Sequence, residues 1–217
     1  MILDLSEPVR AAMIDDDIVF LDIDADTYFC LPLPPGLARL DAARLDIADP
    51  LLVSELTAAG LAVAADPARP APPPLPPRPD RTARALIDTA VALEDHFRPA
   101  HLAALAKAVG AAHAGRRKTF RQLLPAAPRT DERPDLQALL ADVSVWRRWS
   151  PWLPLDGVCL FRSGMLLAFL TALGHRPDWV FGVRTWPFRA HCWLQADDVV
   201  LDDEAERVCA YTPIMAV

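Results

Sequence analysis

The stretch Cys159–Asp203, "CLFRSGMLLAFLTALGHRPDWVFGVRTWPFRAHCWLQADDVVLDD", decides how the chain is read. Its first half carries apolar side chains at helical spacing. Cys159, Ser163, Leu166, Leu170 and Leu173 share one inward stripe, and Gly174 closes the run as a C-cap. The spacing predicts a helix over Gly157 to Leu173, so Cys159 stands at its mouth rather than in its middle. A helix N-terminus presents free N–H groups and the positive end of the macrodipole, and both favour a thiolate. Two strands are predicted next, Trp179–Thr185 and Ala190–Ala196, then a third, Val199–Asp203, after the turn Asp197-Asp198. A helix followed by an antiparallel meander is an α+β core.

Along this core the reactive groups come in the order Cys159, His191, and Asp202 or Asp203. A thiol nucleophile needs a base within hydrogen-bond reach, and the imidazole needs an orienting carboxylate on its other nitrogen. His191 and the two aspartates lie on adjoining arms of one hairpin. A two-residue turn would set Asp202 on the face of His191, and a three-residue turn would set Asp203 there. The N–H groups that open the helix suit an oxyanion. Taken singly, a helical cysteine and a strand histidine are more often packed core residues. A zinc site is disfavoured, because His191 and Cys192 are strand neighbours that point to opposite faces and no CxxC pair exists. Cys192 and Cys209 read as small buried hydrophobes.

Upstream of Cys159, Arg81 to Gly110 has the period of a helix kinked at Pro99, and "GRRKTFRQLLP" reads as a solvated basic loop and turn. A further helix is expected over Asp135 to Trp149, with Trp146, Trp149 and Trp152 in the core or lining a cleft. Further upstream the composition changes. "PARPAPPPLPPRP", Pro67–Pro79, reads as a stiff polyproline II spacer. Residues 1–80 hold 14 acidic and 5 basic side chains, whereas residues 81–217 hold 15 and 17. We therefore expect an N-terminal module at 1–66, a linker at 67–80 and a second domain at 81–217.

The module begins with strands "AAMID", "DIVFLDID" and "TYFCLPL". Val19, Leu21 and Ile23 alternate with Phe20, Asp22 and Asp24 as in a half-buried strand. Short helices are expected at Gly36–Arg44 and Pro50–Ala59, the second stopped by Gly60. Three strands plus helices suggest a small winged-helix-like module, and it holds no constellation for chemistry.

The 217 residues are 53% hydrophobic with a net charge of −7, enough apolar matter for packed cores and the wrong sign for nucleic acid. No run of apolar residues is long enough to span a membrane, and MILDLSEPVR is no signal peptide, so a cytoplasmic protein is expected. In that compartment Cys30, Cys159, Cys192 and Cys209 are expected as free thiols.

The quoted stretch resembles the transglutaminase-like cysteine-protease core, related to the papain fold, of the B proteins of lasso-peptide biosynthesis. The resemblance rests on Cys159 with Arg162 and Ser163, on Gly182-Val183-Arg184, on His191 with Trp193, and on Asp203. Cys192 stands where that family has alanine, and Gly164 where it has a larger apolar residue. The match spans residues 81–217 and implies a triad of Cys159, His191 and Asp203 acting as a leader peptidase. Residues 1–66 are more loosely similar to the RiPP recognition element, a module related to the PQQ-biosynthesis chaperone. This likeness implies that a precursor's leader adds as an antiparallel strand to "TYFCLPL", with Tyr28, Phe29, Leu52, Leu56 and Leu61 as contacts. It also implies an ATP-dependent, asparagine-synthetase-like cyclase as partner. No cofactor or metal is expected in this chain, which lacks a GxxxxGK[ST] phosphate loop, and whether its own activity needs ATP is not readable. Two other functions share these features: a transglutaminase or acyltransferase with the same triad, and a non-catalytic scaffold for precursor and cyclase.

Overall fold

The computed structural model describes residues 1–89, 97–125, 135–153 and 158–217. The N-terminal module contains β1 (Ile2–Leu5), β2 (Val9–Ile14), β3 (Asp17–Asp22), β4 (Thr27–Leu31), β5 (Ala38–Asp41), β6 (Arg44–Ile47), α1 (Pro50–Ala58) and β7 (Ala62–Ala64). They form two sheets, one ordered β5-β6-β1-β7 and one ordered β2-β3-β4. Leu3, Leu5, Ile18, Phe20, Leu45 and Ile47 fill the space between them, with Leu52 and Leu56 of α1. Asp49 caps α1 by accepting from Leu51 N–H at 2.9 Å, and Gly60 follows the helix at φ 72°.

Two expectations for the module change. Gly36–Arg44 is not a helix. Leu37, Leu40 and Ala43 recur at helical spacing, but Asp41↔Arg44 pairing around Ala42 at φ 53° makes the segment one arm of the β5–β6 hairpin. The described residues thus give a module with one helix and seven strands in place of the expected three strands and helices. β3 also differs, being buried on both faces rather than one. Ile18 and Phe20 enter the module's core, and Val19 and Leu21 enter the core of the second domain.

The second domain holds β8 (Arg81–Thr82), α2 (Ala83–Thr89), α3 (Pro99–Gly115), α4 (Phe120–Leu123), α5 (Leu136–Trp149), α6 (Cys159–Ala172), β9 (Asp178–Arg184), β10 (Arg189–Ala196), β11 (Val199–Val200), α7 (Ala205–Val208) and β12 (Thr212–Ala216). The sheet order is β12-β9-β10-β11-β8, antiparallel except for the β11–β8 pair. α6 packs between α3 and the face of β10. Pro99 starts α3 at its first turn, where a proline costs no hydrogen bond, rather than kinking a continuous helix from Arg81. The predicted helix start at Gly157 lies outside the described residues. Trp146 is buried, but Trp152 is 84% exposed and belongs to no core.

A buried hub ties the helices together. The Asp142 carboxylate of α5 accepts from Arg98 at 2.9 Å and lies 2.9 Å from His101 Nε2 and 2.8 Å from His175 Nε2. His101 Nδ1 accepts the Arg98 N–H, which leaves Nε2 as the donor to Asp142. The proline-rich segment has no regular secondary structure but is pinned at its end. Pro77 O accepts from Gln195 Nε2 at 2.7 Å, and Pro79 O from the Cys209 thiol at 3.1 Å. The module also leans on the second domain through Arg121, which pairs with Asp24 and Glu7.

Candidate active site

Val158 is extended and precedes α6, and its carbonyl accepts from Phe161 and Arg162 N–H at 3.1 and 3.4 Å. Cys159 is therefore the first helical residue, and helix geometry leaves its N–H and that of Leu160 without intrahelical acceptors. One turn on, buried Ser163 donates to Cys159 O at 2.7 Å and also lies near Cys192 O and Cys192 Sγ, at 3.4 and 3.6 Å. The serine stitches the start of α6 to β10.

β10 supplies the histidine. His191 pairs with Gly182 of β9, and a Cβ at Gly182 would come within 2.8 Å of the Trp193 ring and 3.0 Å of Tyr211 Cβ. Glycine is needed there so that Trp193 and Tyr211 can close on the strand. The imidazole then packs between them, 6.2 and 5.3 Å from their rings. At this level β10 pairs with β9 alone among the described residues, since β11 pairs only with Gln195 and Ala196. The open side leaves room for a carboxylate.

Asp203 fills it, with Oδ2 2.6 Å from His191 Nε2. Its other oxygen accepts the Glu204 N–H at 2.8 Å and lies 3.7 Å from Arg207. Burial pushes the Asp203 carboxyl up, but the His191 bond, the Glu204 N–H and Arg207 outweigh it and hold the group below the usual carboxylate range. Because Nε2 faces Asp203, Nδ1 is the nitrogen left for Cys159. Asp202 turns away and accepts the Leu194 N–H at 2.8 Å, and burial pushes its carboxyl up to about 6.

Turn length does not decide between the two aspartates. The turn is two residues long, Ala196 pairing with Val199, which by strand alternation favours Asp202. The last ladder pair is Gln195↔Val200, the chain bends through Leu201–Asp203, and alternation no longer applies.

The Cys159 thiol is depressed to about 4, through a hydrogen bond from the Cys192 thiol first and the His191 imidazole second. His191 is raised to about 9 by its bond to Asp203 and by Cys159. The Cys192 thiol moves up, because it donates to the Cys159 sulfur and is buried. The two shifts run in opposite directions, the thiol down and the imidazole up, and both favour a thiolate–imidazolium pair. A cleft of about 280 Å³ opens on these groups, with Arg84, Trp146, Arg147 and Arg162 on its walls. A larger, mostly apolar cavity of about 490 Å³ lies on another face of α6 and reaches none of the reactive groups.

The residues proposed for peptide contact are scattered. Phe29 is exposed at the edge of β4, and Tyr28 is half-buried against the second domain. Leu52 and Leu56 are core residues, exposing only 6% and 4%, and Leu61 is half-buried against the same cluster. Strand alternation sends Cys192 away from His191, which hides its role from the sequence. It does face the other way, into the packing of α6, and that is where the start of α6 brings Cys159. Among the described residues no cluster of His, Cys, Asp or Glu is arranged to hold a metal ion, and no helix is long and apolar enough to cross a membrane.

Residues 102–216 match the family model described as the transglutaminase-like superfamily, a span that contains Cys159, His191 and Asp203. No curated protein and no solved structure matches the chain.

Proposed function

The chain belongs to the transglutaminase-like superfamily, and from that premise we propose that it is the leader peptidase of a lasso-peptide pathway. The superfamily brings thiol chemistry of the cysteine-protease and acyltransferase type. The observation that carries the reading is the Cys159 thiol at the mouth of α6, beside an imidazole that Asp203 holds at 2.6 Å. In this reading the Cys159 thiolate attacks the scissile carbonyl, and the first N–H groups of α6 receive the oxyanion. His191 gives its proton to the leaving amine, then takes one from the water that releases the acyl group. Asp203 keeps the ring oriented throughout.

Residues 1–66 act as the reader of the leader. β4 has β3 as its one strand neighbour among the described residues, so its other edge is open to an added peptide strand, with Phe29 exposed beside it. With Leu52 and Leu56 held in the core, main-chain pairing and Phe29 carry recognition in this reading. The released core then passes to an ATP-dependent cyclase of the asparagine-synthetase-like type. The test is incubation of the full chain with a synthetic lasso-type precursor peptide carrying leader and core, followed by mass spectrometry with and without added methylamine. A leader ending in a free carboxylate supports the peptidase. A leader amide formed with methylamine assigns the transferase reading, and an untouched precursor contradicts both.

A further inference from the structure

β4 faces two neighbourhoods. Phe29 and Leu31 lie on the side of Phe20 and Ile18, toward the module's own core. Tyr28 pairs with Leu21 and lies on the opposite side, which packs on the second domain. Its ring is 5.6 Å from that of Phe188, in the loop that joins β9 to β10 just before His191. The same loop is tied to the module by Trp186 Nε1, which donates to Asp17 Oδ2 at 3.0 Å. Tyr28 and Cys159 pack against one cluster, the one that contains Cys192. Burial is the main cause that pushes the Tyr28 phenol up to about 12. Tyr28 is not on the wall of the cleft that carries Arg84 and Trp146. It sits on the module's face toward the second domain, against the loop that leads into β10.

We infer that Tyr28, braced by Phe188, is a positioning residue that aligns the segment N-terminal to the scissile bond with Cys159. This inference rests on the peptidase reading. A strand added antiparallel to β4 runs from Leu31 toward Thr27 and leaves the edge at the Tyr28 end, so one strand of the module both receives the peptide and steers it to the thiol. The reader is then part of the active site and not only a tether that raises local concentration.

The test uses the full chain and two probes for Cys159, iodoacetamide and benzyloxycarbonyl-Phe-Ala chloromethyl ketone, with labelling sites read by peptide mass spectrometry. Iodoacetamide asks only for a thiolate, whereas the peptidyl ketone must lie along the site. In Tyr28→Ala the ratio of the ketone rate to the iodoacetamide rate is expected to fall by about tenfold or more, the scale of a misplaced reacting group. Tyr28→Phe, which keeps the ring, should retain most of the ratio. Phe188→Ala, a change at a 42% exposed position, should lower it as Tyr28→Ala does, and serves if Tyr28→Ala melts early. An unchanged ratio in both alanine variants overturns the inference and leaves the peptidase reading standing. Wild-type labelling at Cys159 no faster than at exposed Cys30 overturns the nucleophile and this inference with it.

Discussion

Asp203 Oδ2 lies 2.6 Å from His191 Nε2, while its neighbour Asp202 bonds the backbone of Leu194. The two carboxylates therefore separate in function. Asp203→Asn is expected to lower the rate of leader removal by up to ~10⁴-fold, the scale seen when a serine-protease triad loses its orienting carboxylate. Asp202→Asn keeps an oxygen to accept the Leu194 N–H and is expected to cost less than about tenfold, since it leaves the ring partner in place. Single-turnover rates for both variants check this, and a larger loss in Asp202→Asn contradicts the assignment.

Cys192 is placed to donate to the Cys159 sulfur. Cys192→Ala removes the donor and should raise the midpoint of the pH–alkylation curve of Cys159 by roughly one pH unit, the worth of one hydrogen bond to a charged group. Cys192→Ser, which keeps an O–H, should shift it less. Superimposable curves for wild type and Cys192→Ala would remove the donor role.

The pH dependence has a definite sign. The thiolate forms as pH rises through about 4, and the imidazolium loses its proton as pH rises through about 9. Iodoacetamide labelling of Cys159 should therefore already be on a plateau at neutral pH, while peptide cleavage should fall again above about 9. A labelling midpoint near the ordinary thiol value would show that the ion pair does not form.

Asp142 joins α3, α5 and the segment after α6 through Arg98, His101 and His175. Asp142→Asn should cost about 2–4 kcal/mol of stability, because a buried carboxylate that accepts three hydrogen bonds is lost. Burial pushes its carboxyl up, but the two histidines and Arg98 hold it below the usual range. Its contribution is thus present above that range and disappears as pH falls through it. Urea midpoints for wild type and variant at neutral pH, and again near pH 3, measure both effects; equal midpoints at neutral pH would contradict the hub.

The parts of the fold legible in sequence are those whose pattern is local. The stripe from Cys159 to Leu173 sets α6 to within a residue or two, and the alternating runs around Gly182 and Trp193 set β9 and β10. Ile2–Leu5 and Thr212–Ala216 went unseen because each is a short strand made regular only by its partners, β6 and β7 for the first and β9 for the second. "GLARLDAAR" misleads by helical spacing that long-range pairing overrides. At the site, the order of Cys159, His191 and Asp203 was readable. The approach of Cys192 was not, because it depends on how α6 crosses β10.

The central claim is that Cys159 of this chain cuts a peptide that another part of the chain holds. The direct measurement follows full-length wild type and Cys159→Ala with the same precursor by mass spectrometry, alongside leader binding by fluorescence anisotropy. The account predicts complete loss of cleavage in Cys159→Ala with leader affinity within about twofold of wild type, since no binding contact is removed. Cleavage by Cys159→Ala at a rate near that of wild type would contradict it.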